Sequence, residues 1–191
     1  MARDPRIPAT AMVLAAGLGK RMRPLTDSLP KPLVPLAGKP LIDHVLDAIA
    51  AAGIGEAIIN LHYRADQLEQ HLASRRSPTI RLSDERSLLL DTGGGVKRAL
   101  PLLGAQPFLV HNSDSVSIEP KGIGANIRAL MAAWDASRMD GLLLLAERTA
   151  SIGFEGAGDF FLDPGGHLRR RGAAPAAPFV FAGISIASPS L

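Results

Sequence analysis

The sequence predicts an α/β fold: a Rossmann-like, mostly parallel sheet with helices on both faces, plus a C-terminal β-hairpin region. Two patterns predict it. Between residues 11 and 146, short apolar runs alternate with segments whose apolar residues recur at helical spacing, the order expected of repeated β-α-β units. Beyond about residue 150 the texture changes to short runs separated by Gly- and Pro-rich breakers, which reads as antiparallel hairpin. A single domain over residues 1–191 has enough chain to bury a sizeable core.

Residues 11–16 (AMVLAA) are apolar and run into Gly17, which makes them a buried strand by composition. Pro40 opens a helix with Leu41, Ile42, Val45, Leu46 and Ile49 on one face and Gly53 as its stop. Residues 56–62 carry Ile58, Ile59 and Leu61 as a second strand. A polar helix follows over residues 64–75, with Leu68 and Leu72 four apart, and residues 79–82 alternate as a half-buried strand does. Helical spacing returns over residues 95–103, and residues 108–110 read as a strand. Over residues 123–136, Ile127, Leu130, Met131 and Trp134 recur at helical spacing, which places Trp134 in the core. Residues 142–146 form a buried strand. Residues 159–162 and 167–170 flank Asp-Pro-Gly-Gly and form a hairpin. Residues 179–187 are a final apolar strand. Arg169, Arg170 and Arg171 fall on a solvated hairpin edge, where charge discourages further pairing.

Composition narrows the functions available. An apolar fraction of 47% with 20% charged residues excludes a disordered chain. The absence of cysteine excludes disulfides, thiolate zinc sites and a thiol nucleophile. No apolar stretch approaches the ~20 residues needed to span a membrane, and residues 1–10 lack the apolar core of a signal peptide. A cytoplasmic enzyme or binding domain is expected, with no membrane partner. A net charge of +3 is mild, and six Phe, one Trp and one Tyr are too few for a base-stacking platform. Bulk composition therefore does not suggest nucleic acid, while local basic clusters leave a small anionic ligand open.

The chemistry concentrates after the first strand. Residues 14–26 read LAAGLGKRMRPLT, and residues 30–33 read PKPL. In open α/β sheets, ligands bind outside the carboxyl ends of the strands. Gly17 and Gly19 let the backbone approach a ligand and present N–H groups to it. Lys20, Arg21 and Arg23 place three cations within four residues, which suits a triphosphate. A P-loop is excluded, because Arg21 stands where Ser or Thr must follow Gly-Lys. A dinucleotide fingerprint is excluded too, because Met22 fills the third glycine's place and Pro24 obstructs a helix. Lys31 is clamped between two prolines, which stiffens the backbone that carries it. Asp114 follows a strand and suits a hard cation such as Mg2+; a turn or helix-capping role is the competing reading. Thr92, Gly93, Gly94 and Gly95 form either a bare loop or a surface against which a base lies flat.

These blocks resemble the sugar-1-phosphate nucleotidylyltransferases. The similarity starts at Leu14–Met22 and Pro30–Leu33 and continues through Leu36–Ile42. It resumes at residues 91–95, at Asn112-Ser-Asp114, at residues 158–160 and at residues 181–184. The Thr-Gly-Gly-Gly and Gly-Asp-Phe blocks are most similar to the branch that uridylylates N-acetylmuramate 1-phosphate. The resemblance implies a Mg2+-dependent reaction of a nucleoside triphosphate, UTP preferred, with a sugar 1-phosphate, releasing pyrophosphate. It implies that Arg21 and Lys31 act on phosphates as catalytic residues. Ala16, Gly17, Gly19, Lys20, Arg21, Thr92, Gly93 and Gly94 would bind the nucleotide, Asn112, Asp159 and Gly183 the sugar, and Asp114 the metal. Ser113 stands where the family usually has Gly. Glucose or mannose 1-phosphate remains an alternative substrate, and a binding-only regulatory subunit would release no pyrophosphate. The resemblance also implies a further metal-binding aspartate beyond residues 179–187, and the expectation is a domain lacking that segment. A monomer or weak homo-oligomer is expected.

Overall fold

The computed structural model describes residues 7–152 and 154–191. Five strands carry the first three-quarters of the chain. They are β1 (Thr10–Leu14), β4 (Glu56–Leu61), β5 (Thr79–Asp84), β6 (Phe108–Asn112) and β7 (Gly141–Glu147). A minute hairpin of β2 (Pro35–Leu36) and β3 (Lys39–Pro40) precedes the first helix. The helices are α1 (Leu41–Ala51), α2 (Ala65–Leu72), α3 (Asp91–Leu103) and α4 (Ala125–Ala133). The chain closes with β8 (Phe160–Leu162), β9 (Leu168–Arg170) and β10 (Phe179–Ala187).

Strand order in the main sheet is β5-β4-β1-β6-β10-β8-β9, with β7 on β10. The first four pair in parallel; β10 is antiparallel to β6, β7 and β8. The α/β expectation therefore holds, with helices on both faces. Along β1 and β4, side chains alternate between two cores. Ala11, Val13, Ala57, Ile59 and Leu61 meet α1, α2 and α4 on one face. Met12 and Ile58 meet Ala99 and Leu103 of α3 on the other. Among the described residues, no helix is long and apolar enough to cross a membrane.

Four expectations need correction. Helix α3 begins at Asp91, four residues before the spacing predicts, so Thr92, Gly93, Gly94 and Gly95 are its first turns and not a loop. Helix α4 is shorter than residues 123–136, and Trp134 lies just past it in extended conformation, although it is buried as expected. Residues 142–146 are half-buried, because β7 pairs with β10 alone and an unbroken run of leucines carries no periodicity to reveal that. The first strand stops at Leu14, leaving Ala15 and Ala16 to start the following loop. The hairpin and the last strand stand where the sequence places them. Arg169 stacks over Phe161 at 4.2 Å and Arg171 binds the carbonyls of Gly158 and Ala174, so the arginine run is used in local structure.

His111 on β6 is 2% exposed. Burial disfavours its imidazolium and moves its titration below the ordinary 6.5; the Asn112 carbonyl and the charges of Asp114 and Glu119 oppose this in smaller measure. The unfolded chain then takes up the proton first, so this stabilisation is complete above about pH 6.5 and is lost as pH falls below it. The melting temperature is expected to fall more steeply between pH 7 and 5.5 in the native sequence than in His111→Gln. Parallel slopes would remove His111 as the source.

Candidate active site

Strand order reverses beside β1: α1 and α2 lead away to β4 and β5, and the chain then returns to lay β6 on the other edge. A crevice opens outside the carboxyl ends at such a switch point. Here it is a cleft of about 490 Å³. The loop from Leu14 to Met22 forms one wall, Lys31 and Pro32 a second, and Asn112, Ser113 and Asp114 at the end of β6 a third. Leu89, Asp91 and Thr92 close the fourth side, and Asn60 of β4 sits on the floor.

The glycine loop is anchored from below. Thr26, 1% exposed, donates its hydroxyl to the Gly19 carbonyl at 2.8 Å, and Tyr63 donates its own to the Thr26 carbonyl at 2.9 Å. Gly19 has φ +63°, and a Cβ there would lie 2.9 Å from the Thr26 methyl, so both backbone and space call for glycine. Gly17, by contrast, is exposed with nothing within 4 Å of a Cβ. Past Gly19 the chain makes a single 3-10 turn, Lys20–Met22, which lines the cleft with Lys20 and Arg21. Neither makes an ion pair among the described residues, whereas Arg23 pairs with Asp27 at 3.3 Å.

Lys31 opens a second 3-10 turn, Lys31–Leu33, and its ammonium forms an ion pair with the Asp114 carboxylate across the cleft mouth. Both side chains are about one-quarter exposed, at 25% and 29%. Ser113 faces inward, 5% exposed, with its N–H on the Leu14 carbonyl at 3.2 Å.

Of the residues singled out from sequence, Ala16, Gly17, Gly19, Lys20, Arg21, Lys31, Thr92, Asn112 and Asp114 all line this one cleft. Gly93, Gly94, Asp159 and Gly183 do not. Asp159 accepts the Phe181 N–H at 3.0 Å, as a hairpin-anchoring residue does. Gly183 packs against Asn112 and Ser115 at the rim of β6. Sequence reasoning missed Asn60 and Asp91, which also line the cleft. The signal for Asn60 was available: a lone amide within the apolar run of β4 has no reason to be buried unless it binds something.

Residues 10–139 match the family model described as nucleotidyl transferase. The N-acetylmuramate alpha-1-phosphate uridylyltransferase of Caulobacter vibrioides is 50% identical over 188 residues, which take in 96% of this chain and 77% of that protein. A mannose-1-phosphate guanyltransferase of Hypocrea jecorina is 40% identical over 114 residues, 57% of this chain and 31% of that protein. Among solved structures, a UDP-glucose pyrophosphorylase complexed with UDP-glucose shares the fold with a TM-score of 0.77 at 17% identity, over 96% of this chain and 77% of that one. The resemblance first carried by the glycine loop and the Pro-Lys-Pro turn thus extends along most of the sequence, and the chain belongs to the nucleotidyl transferase family.

Proposed function

We propose that this protein transfers a uridylyl group from UTP to N-acetylmuramate 1-phosphate and releases pyrophosphate. The observation that carries this reading is the convergence of Lys20, Arg21, Lys31 and Asp114 on one cleft beside an exposed glycine backbone. The preference for uridylyl and muramate rests on the 50% identity to the Caulobacter enzyme.

The reaction needs no covalent enzyme intermediate. An oxygen of the sugar phosphate attacks the α-phosphorus, the bond to the bridging oxygen breaks, and pyrophosphate leaves with that electron pair. The protein's contribution is positioning and charge neutralisation. Lys20 and Arg21 take the charge of the leaving pyrophosphate, and the N–H groups of residues 16–19 hold the nucleotide. Lys31 exchanges Asp114 for the α-phosphate or the sugar phosphate. Thr92 faces the base from the first turn of α3, and Asn112 faces the sugar.

The cleft suits Mg2+. Asp114 is a hard donor at the mouth, Asp91 is the other carboxylate on the wall, and among the described residues no cluster of three or more His, Asp or Glu forms a ready-made cage. That fits an ion that keeps its waters and shares substrate phosphates. Asp114 would hold it, and when bound it neutralises phosphate charge.

Arg21→Ala and Lys31→Ala are each expected to lower kcat/KM at least ~10-fold, about 1.4 kcal/mol of transition-state stabilisation. Pyrophosphate release under saturating Mg2+ is the measurement, and near-native kinetics in both variants would remove the assignment. Guanylylation of mannose 1-phosphate is the second reading, favoured by the 40% identity to the Hypocrea enzyme. Thermal shifts separate the two, since a ligand stabilises by RT ln(1 + [L]/Kd): UTP should raise the melting temperature more than GTP at equal concentration. Gly17→Ala should leave the melting temperature unchanged and weaken nucleotide binding. Gly19→Ala should cost on the order of 1–3 kcal/mol of stability, through its backbone conformation and the Thr26 contact.

A further inference from the structure

Behind the cleft lies a buried carboxylate to which the reaction gives no task. Glu85, immediately after β5, is 1% exposed. Its Oε1 accepts the Asn60 side-chain N–H at 2.9 Å. Asn60, itself 3% exposed, accepts the Ala15 N–H on its Oδ1 at 2.7 Å. Ala15 is the first residue of the glycine loop. On the other side, Oε2 receives the Leu90 N–H at 3.4 Å, at the N-cap position of α3 and one residue before Asp91 and Thr92. One side chain therefore reaches two opposite walls of the cleft.

We propose that Glu85 is a positioning residue for the nucleotide. Acting through Asn60 on one side and Leu90 on the other, it fixes the distance between the phosphate-binding loop and the wall that faces the base. This inference rests on the nucleotide-site reading above and gives it a mechanical origin.

The chemistry of the bracket calls for a carboxylate. Both groups facing its oxygens are N–H donors, and a carboxylate is an acceptor at both oxygens. The 13-residue helix α3 adds the positive end of its dipole on the same side. A glutamine would turn an amide N–H against one of the two donors. Glu85 is also held in place from outside the cavity. Its own N–H donates to the Leu61 carbonyl at 2.8 Å, and its carbonyl meets His62 Nδ1 at 2.7 Å. The neighbouring Arg86 is tied to Asp84 at 2.6 Å and Asp66 at 2.9 Å.

Gly95 gives an independent sign that this distance is set closely. A Cβ there would lie 2.8 Å from the Asn60 side-chain nitrogen and 2.9 Å from Glu85 Oε1. The helix rests its second turn directly on the bracket, which accounts for one glycine of the run 93–95 without any contact to ligand.

Glu85→Gln is the test, with Gly95→Ala approaching the same bracket from the helix side should Glu85→Gln fail to fold. In the ligand-free protein, hydrogen exchange at the Ala15 amide should accelerate at least ~10-fold in Glu85→Gln, with chemical-shift changes at Ala15 and Leu90. With the native protein shown to turn over UTP, KM for the triphosphate should rise about 10-fold, while KM for the sugar 1-phosphate and kcat stay within about twofold. A variant that keeps Ala15 protection, or that raises both KM values alike, overturns the proposal. If the native protein releases no pyrophosphate from any triphosphate, the functional reading falls, and the exchange data still decide whether Glu85 couples the two walls.

Discussion

The cleft depends on β1 pairing with neighbours on both edges. Ala11 stands opposite Ala57 of β4 and Leu109 of β6, and the three strands run the same way. Their carboxyl ends therefore emerge along one line, which is what brings a loop after residue 14, an amide at residue 60 and a carboxylate at residue 114 to a common opening. Met12 and Val13 are fully buried on opposite faces, and each contributes roughly 1.5–3 kcal/mol by leaving water. A one-residue slip of β1 would exchange those faces and carry the glycine loop about 3.3 Å out of line with Asn60. The register is thus specified twice, by the two cores and by the Ala15–Asn60 hydrogen bond.

Much of this was legible in the sequence where a local signal and the tertiary outcome agree. Strand β5 alternates, β4 and β10 are apolar runs and the β8–β9 hairpin carries turn breakers, so each is marked without outside help. The start of α3 was not legible, because three glycines within its first two turns each cost a helix up to about 1 kcal/mol. Tertiary packing against Asn60 and Glu85 overrides that cost. The loop residues that line the cleft announced themselves through short-range features: two glycines, adjacent cations, and a lysine between prolines. The Asn60–Glu85 pair did not, since its partners are 25 residues apart and meet only when β4 and β5 lie side by side.

The electrostatics of the opening follow one rule: opposite charges already touch. Lys31 and Asp114 neutralise each other while still reachable by solvent. A ligand that brings both an anion and a divalent cation lets each member change partners, so no lone charge is stranded in the process. Lys20 and Arg21 lack such a partner among the described residues, and they give the cleft its attraction for anions. In the proposed reaction, attraction and exchange thus fall to different side chains.

Strand β10 carries a consequence for how the molecule is made. It lies along β6 through Ile184–Ala187 and along β7 over most of its length, so the strand that presents Asn112 and leads to Asp114 is completed by residues about 75 positions downstream. During vectorial synthesis at ~5–20 residues per second, one edge of β6 stays open until that segment has emerged from the ribosome. Helices and strands of the first half can assemble on β1 before then. The third wall of the cleft cannot be fixed until the nascent chain has supplied β10, and such distant pairing is slow to nucleate. In the cell, the interval between those two events is when an unpaired β6 edge is open to the wrong partner.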